Sequence, residues 1–255
     1  MRWVDEQMLI LGLTHPISWN SAAVLLEDGK LIAAAEEERF VRIKHAPRML
    51  PHHAIVYALQ QAGIKENDID IVAVGGAALH SKEEIDNAAR KARKPSTPDI
   101  ERNFWVQSAE GEALLMKYLE RRFSTAKISF VRHHLAHAAS TCFVSGFDKT
   151  LFMTIDGRGE FESGLLGLYS DGEMEVLRSI PVSDSLGAMY ALFTELIGFT
   201  QHTDEGKTMG LAAYGAPIEA LLRVVQTDEN WRIHIDWDTL FSITNMLEAG
   251  DGVGG

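Results

Sequence analysis

One pattern limits the fold of this chain more than any other feature: three apolar runs, the last two joined by an Asp-Gly turn, leading to a helix, and it occurs twice. In the first copy Met8 to Thr14 is apolar and ends in the loop THPISWN; Ser21 to Leu26 and Leu31 to Ala35 follow, with Asp28-Gly29 between them. In the second copy Leu151 to Ile155 ends in DGRGEFES; Gly164 to Tyr169 and Met174 to Val182 follow, with Asp171-Gly172 between them. Apolar runs joined by Asp-Gly are a strong hairpin signal, because Asp and Gly tolerate the positive φ of a two-residue turn. The helix after the first copy starts at Pro51, has Ala54, Ile55, Ala58, Leu59 and Ala62 at helical spacing, and closes at Gly63. The helix after the second runs from Leu186 to Leu196. The two Asp-Gly turns lie 143 residues apart, too far for a stacked repeat. The expected fold is α/β with a duplicated lobe, although Asp-Gly hairpins are common and two need not be related.

The second copy is expected to be incomplete. After the first, Ile69 to Val74 reads as a buried strand stopped by Gly75-Gly76. Ser81 to Lys127 reads as polar helix, broken at Lys94-Pro95-Ser96-Thr97-Pro98 and resumed from Glu112 to Phe123. Ile128 to Val131 is a short strand leading into the helix start HHLAHAAS. After the second copy only Trp231 to Ile235 offers a short strand, before a terminal GDGVGG. The expected domains are therefore residues 1–147, a first lobe, and residues 148–255, the beginning of a second. Of the 255 residues, 46% are hydrophobic and 24% charged, the balance of a globular chain. With 24 Lys+Arg against 36 Asp+Glu the net charge is −12, which argues against a general nucleic-acid binder but leaves room for a local basic pocket. Cys142 stands alone and cannot form an intrachain disulfide, which fits a reducing cytoplasm. No apolar run approaches the roughly 18 residues of a membrane span, and the first residues lack a signal-peptide layout.

The sharpest chemical signal is His133-His134-Leu135-Ala136-His137. Residues four apart share one helix face, so His133 and His137 can reach one metal while His134 points elsewhere. The Glu of zinc proteases is missing from the motif, and two ordinary histidines would look the same in isolation. Asp156 closes a strand beside Gly157, Gly159 and Gly164, where a carboxylate can reach a metal and backbone N–H groups can approach phosphate. Two histidines with a carboxylate suit iron or zinc with open positions. Residues 39–48, RFVRIKHAPR, carry cations and no acid, and read either as a clamp for an anionic ligand or as a solvated basic loop. Lys207 and Gly210, in DEGKTMG, could grip an anion but do not form a P-loop. Ser185, at the start of the helix from Leu186, is explained as a cap.

Taken together, AAAEEERFVRIKHAP, VRHHLAHAAS, TIDGRGE, SLGAMYALFTELIGF and EGKTMGLAAYG resemble the O-carbamoyltransferase family, in order and over nearly the whole of residues 8–215. The resemblance implies an actin-like ATPase fold of duplicated lobes, related to the metal-binding subunit of the tRNA threonylcarbamoyl machinery. It implies a metal, Fe(2+) or else Zn(2+), on His133, His137 and Asp156. The family's fourth ligand, an Asp, has no visible motif here, and Asn20 stands where relatives often have Asp. The implied chemistry has two steps. ATP and carbamoyl phosphate give carbamoyl adenylate in a further domain, and the carbamoyl group then passes to a small-molecule hydroxyl acceptor. Lys44, His45 and Arg39 would hold anionic or carbonyl oxygens, Gly157 and Gly159 would approach phosphate, Lys207 and Gly210 would contact the nucleotide, and Glu160 would orient a donor group. The alternatives are a threonylcarbamoyl-type tRNA-modification protein and a non-catalytic nucleotide-binding module. An exposed apolar surface on the incomplete lobe would favour self-association, in its simplest form a homodimer.

Overall fold

Both Asp-Gly pairs sit at two-residue turns with positive φ throughout: 49° and 77° at Asp28 and Gly29, 53° and 86° at Asp171 and Gly172. The computed structural model describes residues 7–15, 20–77, 82–90, 98–230 and 232–248. The expected loop at residues 94–97 and the terminal glycine-rich stretch lie outside the described residues, as does Trp231. The chain is mixed α/β and divides into two compact units, Met1–Ala136 and His137–Gly255. The expected boundary lay after residue 147; the division falls inside a helix.

The first unit holds a five-stranded sheet. β1 (Leu9–Thr14), β2 (Ala22–Glu27) and β3 (Lys30–Glu36) form an antiparallel meander, and β4 (Ile71–Gly75) and β5 (Lys127–Val131) add in parallel on the far edge of β1. Register follows the period-2 alternation of the strands. One row of side chains crosses the sheet through Ala33, Leu25, Leu11, Val72 and Ile128, and the next through Ala35, Ala23, Leu13, Val74 and Phe130. A one-residue slip would turn these rows to the other face. Between β3 and β4 come the short α1 (Glu38–Val41) and α2 (His52–Ala62), and then α3 (Lys82–Arg90) and α4 (Pro98–Arg122) precede β5. Ala54, Ile55, Ala58 and Leu59 of α2 and Leu115 and Leu119 of α4 complete this core.

Helix α4 is one element from Pro98, not a helix resuming at Glu112. Its buried stripe runs Trp105, Ser108, Glu112, Leu115 and Leu119. Two polar residues in that stripe, Ser108 and Glu112, break its hydrophobic period and obscure where the helix starts. Helix α2 starts at Pro51 without a side-chain cap of its own. Glu37, 1% exposed, supplies the cap from 16 residues upstream. Its carboxylate accepts the backbone N–H groups of His53 and Ala54, at 3.2 and 2.9 Å, and pairs with the His53 ring. Glu37→Ala should leave buried donors unsatisfied and cost about 2–3 kcal/mol of stability. Thermal melts of the two proteins check this, and equal midpoints would contradict it.

Helix α5 (His133–Cys142) leads from β5 into the second unit. There β6 (Lys149–Ile155), β7 (Glu162–Ser170) and β8 (Glu173–Pro181) repeat the antiparallel meander. Gly167 has to be glycine, because an added Cβ would lie 2.2 Å from Phe152 Cζ and 2.5 Å from the Glu175 carbonyl oxygen. Helices α6 (Leu186–Leu196) and α7 (Glu205–Ala212) follow, then a hairpin of β9 (Val225–Thr227) and β10 (Ile233–Ile235), and α8 (Trp237–Glu248). Val224, Ile235, Trp237, Leu240 and Ile243 form a second core with the apolar face of α6. The three residues of β9 escaped the sequence reading because they are too short to show alternation. Lys207 and Gly210 lie within α7. Among the described residues no helix is long and apolar enough to cross a membrane.

Candidate metal centre

Two backbone devices build the site. Helix α5 begins at His133, so His133 and His137 fall one turn apart on the same face. The unit division passes between Ala136 and His137, but the hydrogen bonding of this one helix ties the two histidines together. Strand β6 ends at Ile155, and Asp156 follows it at the mouth of the loop to β7. Its N–H donates to the Ser163 carbonyl at 2.8 Å, the last rung before the strands part. One ligand atom each from His133, His137 and Asp156 lie within 4.8 Å of one another. His137 Nε2 is 3.3 Å from Asp156 Oδ2, and the other carboxylate oxygen, Oδ1, accepts the Gly157 N–H at 2.6 Å. The hydrogen bond that His137 donates to the Asp156 carboxylate raises the His137 pKa above its ordinary 6.5; burial opposes this and the Asp156 charge adds to it. Two imidazole nitrogens and a carboxylate oxygen this close fit a divalent ion with positions left open, since each donor needs to stand only about 2.0–2.2 Å from a common centre. His134 is fully buried and sets its ring edge-on to that of His133, at a centroid separation of 5.1 Å, as a packing residue would.

The cationic stretch lies in the first unit and has local partners. Lys44 Nζ reaches both Glu38 carboxylate oxygens at 3.2 Å while the side chain stays 72% exposed. Arg39 bonds Glu36 at 3.2 Å and stands 3.8 Å from Glu38. The His45 N–H also donates to Glu38. The Glu38 carboxyl is held below its usual range, first by that backbone N–H and then by the Lys44 hydrogen bond and the charges of Lys44 and Arg39. The run contains no acid itself, but two of the three glutamates before it, Glu36 and Glu38, fold back on it. Arg42, His45, Ala46 and Arg48 all have positive φ, a costly backbone for residues other than glycine.

The remaining candidates are in the second unit. Gly157, Gly159 and the buried Glu160 form the loop after β6. Lys207 pairs with Asp204 at 2.8 Å and lies over the Phe199 ring.

Sequence reasoning missed three groups. Glu37 is the buried cap described above, and its signal was a helix start at Pro51 with no Ser, Thr, Asp or Asn. His15 and Glu112 form a buried pair at 2.9 Å, and its signal was a glutamate inside the buried stripe of α4. Ser185 was read as a cap alone. It accepts the Ala188 N–H at 3.0 Å as a cap should, but it also bonds the Asp156–Gly157 segment.

Comparison with known proteins finds relatives over most of the chain. The chain is 39% identical over 211 residues to nodulation protein NolNO of Sinorhizobium fredii, covering 81% of this chain and 29% of that one. It is 36% identical over 111 residues to nodulation protein NolO of Bradyrhizobium diazoefficiens, covering 42% of this chain and 20% of that one. This chain thus spans a third or less of the length of these relatives. Among solved structures, YeaZ from Pseudomonas aeruginosa is similar over 68% of this chain and 65% of its own, at 16% identity and a TM-score of 0.36, too slight a likeness to carry an argument. The profile described as Carbamoyltransferase N-terminus matches residues 9–248, from β1 to the end of α8. The chain belongs to the carbamoyltransferase N-terminal family.

Proposed function

We propose that this chain carries the transfer site of a metal-assisted carbamoyltransferase, which moves a carbamoyl group from carbamoyl adenylate to an acceptor hydroxyl. The observation that carries the reading is the meeting of His133, His137 and Asp156 within 4.8 Å, in a chain that belongs to a carbamoyltransferase family. In the transfer a bond forms between the acceptor oxygen and the carbamoyl carbon as the bond from that carbon to the adenylate oxygen breaks. AMP and one proton leave.

His133, His137 and Asp156 would hold Fe(2+) or Zn(2+), and the bound ion would supply Lewis acidity toward a carbonyl or phosphate oxygen. Asp156 is prepared for the task. Its Oδ1 is engaged by the Gly157 N–H, which leaves Oδ2 toward His137. For an ion to bind, the His137–Asp156 pair would have to give up the proton it shares. The Gly157 and Gly159 N–H groups are engaged by Asp156 Oδ1 and the Glu162 carbonyl, so a phosphate would bind them only by displacing those acceptors, and the buried Glu160 would orient a donor group. In the second unit Lys207 would offer charge to an adenylate in exchange for Asp204; in the first unit, taken by itself, Lys44, Arg39 and His45 would offer donors to an anionic or carbonyl oxygen.

Synthetic carbamoyl adenylate, added with a panel of hydroxyl acceptors, tests this through AMP release. Wild-type protein loaded with Fe(2+) or Zn(2+) should accelerate release in step with carbamoylation of an acceptor, and His137→Ala should lose both. Equal rates for wild type and His137→Ala would contradict the reading.

A further inference from the structure

We propose that Ser185 and Gly187 are positioning residues for the metal centre: they clamp the Asp156–Gly157 peptide to the start of α6 and so aim the Asp156 carboxylate. The inference rests on the metal reading above. All of its residues lie in the second unit.

Ser185 is fully buried. Capping uses only its oxygen as acceptor, here for the Ala188 N–H. The hydroxyl proton is left over. It is directed at the Gly157 carbonyl at 2.7 Å, with the Asp156 carbonyl at 3.1 Å. A carboxylate at this position could cap but could not donate. Gly187 makes the approach possible. A Cβ there would lie 2.5 Å from the Asp156 carbonyl carbon and 2.6 Å from both the Asp156 oxygen and the Gly157 nitrogen. These are backbone atoms and cannot rotate aside, so any side chain at 187 must push the loop off the helix.

The peptide is thereby fastened on every side. Strand β7 holds the Asp156 N–H through the Ser163 carbonyl, α6 holds both carbonyls through Ser185, and the Gly157 N–H turns back to Asp156 Oδ1. The remaining carboxylate oxygen is left in one place, beside His137 Nε2. Partners that orient a metal ligand typically matter by one to two orders of magnitude in metal affinity.

Cobalt(II) is the probe, followed by its visible absorption in wild type, Ser185→Gly, Ser185→Thr and Gly187→Ala. Glycine is nearly as good a helix cap as serine but has no hydroxyl, so Ser185→Gly removes the clamp and largely keeps the cap. It should bind Co(2+) about tenfold more weakly, with an altered absorption band. Ser185→Thr keeps the hydroxyl and should restore both. Gly187→Ala should lose more affinity than Ser185→Gly; if it fails to fold, the Ser185 variants decide. Wild-type affinity and an unchanged band in Ser185→Gly would overturn the proposal, whatever happens to its melting temperature. In that case the metal reading would stand. No Co(2+) binding by wild type would overturn both.

Discussion

Lowering the pH below 6.5 should weaken divalent-metal binding by up to about tenfold per unit through His137 alone. The cause is a shared position. Metal and proton compete for the same imidazole, and Asp156 holds the proton there, so that the His137 pKa lies above its ordinary 6.5. The metal-free protein should respond in the opposite sense. A histidine whose pKa is raised by folding stabilises the fold fully below its unfolded pKa, and that contribution disappears as pH rises through the folded value. Metal affinity should therefore climb with pH over the range in which the His137–Asp156 pair stops stabilising the empty protein. Zn(2+) titrations between pH 7.5 and 5.5, with melts of the metal-free protein over the same range, check both halves. An affinity that stays flat would show that His137 does not bind through this imidazole.

The chain on its own should self-associate through one face of the β6–β7–β8 sheet. On that face Leu151, Met153 and Ile155 are 65%, 65% and 47% exposed, and Leu168 and Leu166 stand opposite the first two on β7. Among the described residues β6 pairs only with β7, whereas its counterpart β1 has β4 bonded along its second edge. An open edge beside an apolar face invites pairing with another copy. Burying a side chain of this size is worth about 1.5–3 kcal/mol. Leu151→Lys with Met153→Lys should thus raise the dissociation constant of the association by a hundredfold or more, on the order of two such burials. Sedimentation velocity on both proteins measures it. A wild-type chain that stays monomeric at the highest concentrations would contradict it.

The meanders were legible because their signals are local. Alternating apolar residues set the strands, and Asp-Gly set turns that the structure shows with both φ values positive. The His133–His137 pair was legible for a similar reason, since helical spacing alone puts two side chains on one face. Asp156 was legible as a strand-end carboxylate among glycines, but its approach to His137 depends on long-range pairing of β6 and β7, which no short pattern encodes. What escaped were buried polar residues with distant partners. Glu37 looked like one of three equivalent glutamates, yet it is 1% exposed and caps a helix 16 residues on. Glu112 obscured the extent of helix α4 by interrupting its apolar stripe while pairing with His15. Ser185 met the sequence rule for a cap, so nothing in the sequence called for a second partner 28 residues back. The cationic stretch drew notice for a different reason. It stood out because its run contains no acid, and the acids that answer it lie just before it, at Glu36 and Glu38.

The central claim is that His133, His137 and Asp156 hold one divalent ion. X-ray absorption at the zinc edge tests it most directly, because imidazole rings scatter distinctively and can be counted. Wild-type protein loaded with one equivalent of Zn(2+) should show two imidazoles with oxygen completing the shell, at about 2.0–2.2 Å. His133→Ala should show one imidazole, and Asp156→Ala should keep two while binding more weakly. A wild-type shell without imidazole, or an imidazole count that His133→Ala leaves unchanged, would place the metal elsewhere and contradict the account.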